Sequence, residues 1–322
     1  MDQPHPGELD PDPRELWEAA RDGDVQHCRE LIHTNGFNPE YVELEDDRQG
    51  TTALIVALIW SGLYTKVKKV NCVNCDHLAV VKLLLYYGAD ASRICNNGTN
   101  ALHNAIIYTP SKEYLFLILS KLGRNQLDVK DLDGRTALMC AILFTDPALY
   151  ENYVTALLRH GADAHTVDNK GNSILHQIVS PSQWLLDTVK PYHVDINRRC
   201  GYGRTPIQFQ IFQRRRGRGS ECFARVIALL LANNVDISIV DDDGKTAVEN
   251  AKSFFPEDNK GLLLLQYRET ERARMLAFAM GTHPRNNPNC LLGGLSPEYM
   301  QMIADASGFD RTRPFSKHDK EF

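Results

Sequence analysis

The stretch 131-DLDGRTALMCA-141 decides the fold, because five others share its pattern: 47-DRQGTTAL-54, 95-CNNGTNALHNA-105, 168-DNKGNSILHQI-178, 200-CGYGRTPIQFQ-210 and 241-DDDGKTAVENA-251. Glycine is fourth in all six and threonine sixth in four of them. A small residue or proline and an aliphatic one usually follow. Glycine here suits a tight turn that needs a positive φ. The Thr or Ser that follows suits the N-cap of a helix, and Pro206 sits where a first helical residue tolerates a missing donor. Leu102, Ala105 and Ile106 then recur at helical spacing as a buried face.

A second phrase lies upstream of the next glycine: 83-LLLYYGADAS-92, 156-ALLRHGADAH-165, 191-PYHVDINRR-199 and 230-LLANNVDISI-239. It ends a second helix, with Gly88 or Gly161 just past the last turn. The two phrases together resemble the ankyrin repeat, a unit of about 33 residues with the signature T-P-L-H-x-A. The resemblance covers residues 15–256 and recurs six times, with 15-ELWEAARDGDVQHCRELI-32 as an N-terminal seventh. It implies an all-α solenoid of stacked helix pairs with β-turn tips, because one such unit cannot bury its own apolar face. It also implies that His103 and His176 bridge neighbouring turns by hydrogen bonds.

The spacing locates the variable surface. Asp90, Asp163, Asp195 and Asp236 each precede a turn glycine by eight residues, whereas successive glycines lie 48, 36, 37, 32 and 41 apart. The surplus falls between the two helices of a unit, at 62-GLYTKVKKVNCVNCDH-77, 145-TDPALYEN-152 and 213-QRRRGRGSEC-222. The first insert contains Cys72, Cys75 and His77, three residues of zinc-ligand type. A structural site needs four ligands, Cys95 is a distant fourth at best, and no second C-x-x-C accompanies the pair. Loop thiols are the expected reading, and no metal or other cofactor is called for. The basic run 214-RRRGRG-219 reads as a solvated loop, or else as an import signal or a contact for an acidic partner.

Position ten after the turn glycine holds Trp60, Tyr108 and Phe144 in three successive units, then Pro181 and Gln213. Units stacked in register would align these rings, either as anchors for a partner or as satellite core under the inserts. The turn tips Asn97, Asp133, Lys170, Tyr202 and Asp243 form the other surface that the family resemblance offers to partners. No P-loop, G-x-S-x-G or H-E-x-x-H occurs, so no catalytic motif is present.

Composition narrows the class. Apolar residues at 43% and charged ones at 24% are those of an ordinary globular chain, and a net charge of −5 gives no general attraction to nucleic acid or anionic membrane. Eight irregularly spaced cysteines do not make a disulfide framework, and the start is too polar for a signal peptide. The expectation is a soluble, monomeric, cytoplasmic or nuclear protein with reduced cysteines, which binds another protein and catalyses nothing.

Residues 1–14 read as an acidic, proline-rich disordered start, 15–256 as the repeat domain, 257–308 as a helical cap or docking segment, and 309–322 as a disordered tail. A long helix is expected over 260–280. In 291-LLGGLSPEYMQMIADAS-307, Leu295, Pro297, Glu298, Met300 and Ile303 resemble the opening helix of an F-box. That resemblance implies an alternative role as a ubiquitin-ligase adaptor, but the inserted Ser296 departs from the pattern.

Overall fold

The computed structural model describes residues 14–34, 36, 38, 50–66, 75–109, 111–144, 147–178, 182–214, 220–255 and 260–279. Two compact units divide the chain, Met1–Asn169 and Lys170–Phe322. The described residues of both are built from helices and turns.

In the first unit the helices come in pairs: α1 (Arg14–Asp22) with α2 (Val25–Thr34), α3 (Ala53–Lys66) with α4 (His77–Tyr86), α5 (Ala101–Tyr108) with α6 (Lys112–Leu119), and α7 (Ala137–Phe144) with α8 (Pro147–His160). The first members stack as one row, α1 on α3 on α5 on α7, and the second members as another, α2 on α4 on α6 on α8. The interior between the rows is apolar: Leu54, Leu58, Leu84, Leu102, Leu115, Ile118, Leu138 and Leu157 are all fully buried. Each pair thus covers an apolar face that its neighbour would otherwise leave in water, as stacked repeats must.

The second unit has α9 (Gln183–Val189), α10 (Pro206–Arg214), α11 (Ser220–Ala232), α12 (Ala247–Phe254) and α13 (Lys260–Ala279). Here α10 packs on α11 and α12, while α13 packs on α11 and α12 and buries Leu262, Leu264 and Leu265. Residues 173–178 depart from the expected helix pair. They form a single turn with His176 N–H bonded to Ser173 C=O and Gln177 N–H to Ile174 C=O. This unit is the shortest, 32 residues between glycines, and Pro181 disfavours helical geometry at the residue before it.

The turns repeat at the level of single hydrogen bonds. Gly98, Gly134, Gly203 and Gly244 have φ between 66° and 78°. Each donates its N–H to the carbonyl three residues back, of Cys95, Asp131, Cys200 or Asp241. Neighbouring tips are tied by Leu132 N–H to Asn97 C=O at 3.1 Å and Asn169 N–H to Asp133 C=O at 2.9 Å in the first unit. Gly201 N–H to Lys170 C=O at 2.7 Å does the same in the second.

The outer helices end as the second phrase requires. Gly88 and Gly161 are left-handed, with Ala89 N–H on Leu84 C=O and Ala162 N–H on Leu157 C=O. His193 and Asn234 take the same left-handed conformation without being glycine, at φ 54° and 59°. Capping is less uniform than the sequence suggests. Asn100 and Thr246 cap α5 and α12, but Thr136 Oγ1 is buried with no hydrogen bond among the described residues.

Candidate functional site

The bridging role expected of two histidines is met in detail. His103 is fully buried and its Nε2 lies 3.2 Å from the carbonyl of Arg135 in the next turn. His176 Nδ1 accepts from Ser173 N–H at 3.1 Å and from Ser173 Oγ at 2.9 Å, which leaves Nε2–H to donate to Arg204 C=O at 3.0 Å. In the next unit Gln208 does the same work: its Oε1 accepts from Thr205 N–H and its Nε2 donates to Lys245 C=O. These polar groups are spent on holding turns in register. Burial holds the His103 pKa below its usual value, against the opposing pull of the Arg135 carbonyl and Asp131.

Two of the three candidate zinc ligands, Cys75 and His77, are among the described residues. Cys72 lies outside the described residues. Cys75 is disulfide-bonded, which takes its sulfur out of thiolate chemistry and departs from the expected reduced state. His77 opens α4 and is buried against the first pair, with its Nε2 2.9 Å from the Arg21 carbonyl. Its pKa is lowered chiefly by burial, with the Arg21 carbonyl and Asp76 opposing. Among the described residues no group of His, Cys, Asp and Glu could hold a metal ion. Cys28, Cys95, Cys140 and Cys200 are free and buried. Burial pushes the Cys95 thiol up to about 11 and those of Cys28 and Cys140 to about 12, so they stay protonated.

The first unit contains a cavity of about 570 Å³ on its α1–α3–α5 row. Its lining runs from Trp17 and Arg21 on α1, through Ile55, Trp60 and Leu63 on α3, to Asn104 and Tyr108 on α5, with Asn97, Cys95 and Thr99 from the turn before α5. Trp17 is held by its indole N–H, which donates to Thr51 Oγ1 at 3.1 Å. Trp60 is half-buried and Tyr108 is 36% exposed, so both rings present part of their faces to the opening. At the rim, Arg21 Nε and Nη2 donate to the two carboxylate oxygens of Asp22 at 2.7 and 3.1 Å. The close approach of α3 to α5 below this opening depends on Gly62. A β-carbon there would overlap the Tyr108 carbonyl.

Three of the eight residues expected to meet a partner therefore share one site: Trp60, Tyr108 and Asn97. Phe144 continues the register but lies outside the cavity, 48% exposed, with the Arg135 guanidinium 5.6 Å from its ring centre. Asp133 is paired with Arg135. In the second unit, Lys170 accepts Gly201 N–H on its carbonyl. Tyr202 is exposed beside the Arg204 guanidinium, which also lies 3.3 Å from the Phe212 ring centre and 3.9 Å from Asp243.

Sequence reasoning missed Trp17, Asn104 and Gly62. Trp17 belongs to a unit with no turn glycine before it to set the register. Asn104 had a signal, as a second polar residue inside the otherwise apolar helix 101-ALHNAIIY-108. So did Gly62, a glycine within a helix, which marks a close approach. Leu295, Pro297, Glu298, Met300 and Ile303 lie outside the described residues, as do 215–219 of the basic run. Among the described residues no helix is long and apolar enough to cross a membrane.

A family model described as ankyrin repeats (3 copies) matches residues 70–168. The mouse B-cell lymphoma 3 protein homolog is 30% identical over 206 residues, 61% of this chain and 42% of that protein. The phosphocholine transferase AnkX of Legionella pneumophila is 25% identical over 190 residues, 56% of this chain and 20% of the enzyme. The chain thus spans less than half the length of the curated relatives it matches. Among solved structures, the ankyrin repeat domain of Bcl-3, a unique member of the IkappaB protein family, superposes with a TM-score of 0.55 at 20% identity. It covers 81% of this chain and 100% of that one. The human ASB11 ankyrin repeat domain gives 0.54 at 18% identity, over 79% and 96%. Residues 70–168 thus match the ankyrin repeat family, and the fold is the one seen in ankyrin repeat domains.

Proposed function

We propose that this protein is a non-catalytic binding protein, whose repeats hold a rigid surface for another protein. Ankyrin repeats in general mediate contacts between proteins. The observation that carries the reading is the cavity on the α1–α3–α5 row, walled by Trp17, Trp60 and Tyr108. Aromatic side chains in a partly desolvated hollow are the usual anchors of protein interfaces, and a rigid frame loses little entropy on binding. Cys95 lines the same cavity, but its thiol is held protonated, so it offers no nucleophile. AnkX is matched over 20% of its length, and no transfer chemistry is proposed for this chain.

We read the repeat domain as 15–256, and α13 supports the capping role read for the segment after it, since its leucines close over α11 and α12. A cytoplasmic or nuclear monomer without affinity for nucleic acid or membrane completes the reading. The test is capture of partners from an extract of the source cells by the full chain, by Trp60→Ala and Tyr108→Ala variants, and by Tyr86→Ala as a control. Tyr86 is 81% exposed on α4 and does not line the cavity. Partners held by the wild type and the control but lost from both cavity variants support the surface. An identical set in all four refutes it.

A further inference from the structure

The polar floor of the cavity is more specific than its aromatic walls. Asn104 is only 2% exposed and lines the cavity. Its Nδ2 donates to Thr99 Oγ1 at 3.1 Å and to the Asn100 carbonyl at 2.8 Å. Thr99 Oγ1 donates onward to Asn97 Oδ1 at 2.7 Å, and the same oxygen takes Thr99 N–H at 3.0 Å. A carbonyl can only accept and a backbone N–H can only donate, so the network fixes both amide orientations. Two groups are left over. Asn104 Oδ1 receives no hydrogen bond among the described residues, and Asn97 Nδ2 makes none. Both residues line the same hollow, so beside the Arg21–Asp22 pair and the apolar Ile55, Val56 and Ile59 each has one hydrogen-bonding group to offer.

That pairing selects the ligand. A carboxylate or phosphate would bring acceptors against the Asn104 oxygen and leave that oxygen unpaired in a buried place. A cation finds no net charge at the rim, where Arg21 and Asp22 are paired with each other. A peptide unit matches, because an extended residue turns its own N–H and C=O to the same side. On the reading of the cavity as the partner surface, we infer that it takes an extended, uncharged segment of the partner protein. One residue of that segment donates its main-chain N–H to Asn104 Oδ1 and accepts from Asn97 Nδ2 on its C=O. The segment lays an apolar side chain among Trp17, Trp60 and Tyr108.

The experiment selects random linear peptides, displayed on phage, against the full chain. It then titrates a selected synthetic peptide while following tryptophan fluorescence, since two of the three tryptophans line the site. The expected peptides share one apolar anchor and lose about tenfold or more in affinity against Tyr108→Ala. N-methylation of the anchor's amide, on the unaltered protein, weakens binding at least about fivefold, and Asn104→Leu does the same. The methylated peptide needs no folded variant, so a poorly folding Asn104→Leu protein leaves the test intact. Full affinity of the methylated peptide overturns the main-chain reading, while dependence on Tyr108 keeps the surface. Peptides indifferent to both Trp60→Ala and Tyr108→Ala overturn the two together. A library that yields no binder sinks the segment reading, and the fate of the surface then rests on the capture experiment.

Discussion

Replacing His176 tests whether the repeat is held by specific hydrogen bonds or by shape. The residue is fully buried, and its ring makes three bonds within the second unit. His176→Ala strips the partner from Ser173 N–H, itself 1% exposed, and from the Arg204 carbonyl. A buried polar group left unpaired costs about 1 kcal/mol or more, and the emptied ring volume adds about another 1. The expected loss is therefore about 3 kcal/mol. His176→Gln should behave differently, because Gln208 already shows the same connections made by an amide, with Thr205 N–H at 2.9 Å and Lys245 C=O at 2.9 Å. What glutamine cannot supply is the edge-on contact with Phe209, at 5.6 Å between ring centres. Such a contact contributes about 0.5–1.5 kcal/mol, so the glutamine variant should lose about 1. Urea unfolding of the three proteins, followed by helical circular dichroism, gives the ranking. A glutamine variant as unstable as the alanine one would show that the ring's shape, not its hydrogen bonds, holds the turn.

Three further outcomes follow from the same geometry. His77 and His103 have folded pKa values below the usual 6.5, so the unfolded chain takes up protons first. Stability is then full above about pH 6.5 and falls as the pH drops toward the folded values, and His103→Gln should shallow that slope in urea titrations between pH 7 and about pH 5. Asn234 occupies a left-handed position that Gly88 and Gly161 fill elsewhere, so Asn234→Gly should stabilise by up to about 1 kcal/mol in urea unfolding; a loss would mean the side chain contributes more than its strain. Gly62→Ala should destabilise by about 3 kcal/mol or more and weaken partner capture, since α3 must move off the Tyr108 carbonyl; wild-type stability would show the contact is not tight.

The helix pairs were legible because each is fixed by local chemistry: a positive-φ glycine, a cap, an apolar stripe. Where local chemistry ran out, so did the reading. Thr136 has the expected sequence but no hydrogen bond at Oγ1 among the described residues, and Met139 stands where His103, His176, Gln208 and Glu249 offer a nitrogen or oxygen. His77 resembled a metal ligand beside two cysteines, and only the packing of α4 against the first helix pair shows its nitrogen bonded to the Arg21 carbonyl. The register rule groups Trp60 with Tyr108, which line one cavity, since equal steps along stacked units bring equal positions together. Phe144 continues that register with its ring outside the cavity, near the Arg135 guanidinium.

The polar residues at the histidine position of the repeat change character along the chain, while Ile55 and Met139 there are apolar. His103, His176 and Gln208 each donate to a carbonyl of the following turn, which requires an N–H. Glu249 has none to give. Its carboxylate instead turns back onto Thr246, accepting from both N–H and Oγ1 at 2.8 Å, and these bonds hold its pKa below the usual value. A carboxylate placed before another turn would face that turn's carbonyl oxygen, acceptor against acceptor, and would destabilise the junction. It is tolerated at Glu249 because no further glycine turn follows among the described residues. After it comes α13, which packs on α11 and α12 and buries Leu262, Leu264 and Leu265. The change from imidazole and amide to carboxylate thus falls at the last described glycine turn, ahead of α13. We propose that the repeats end there, near residue 256, where the sequence loses its pattern.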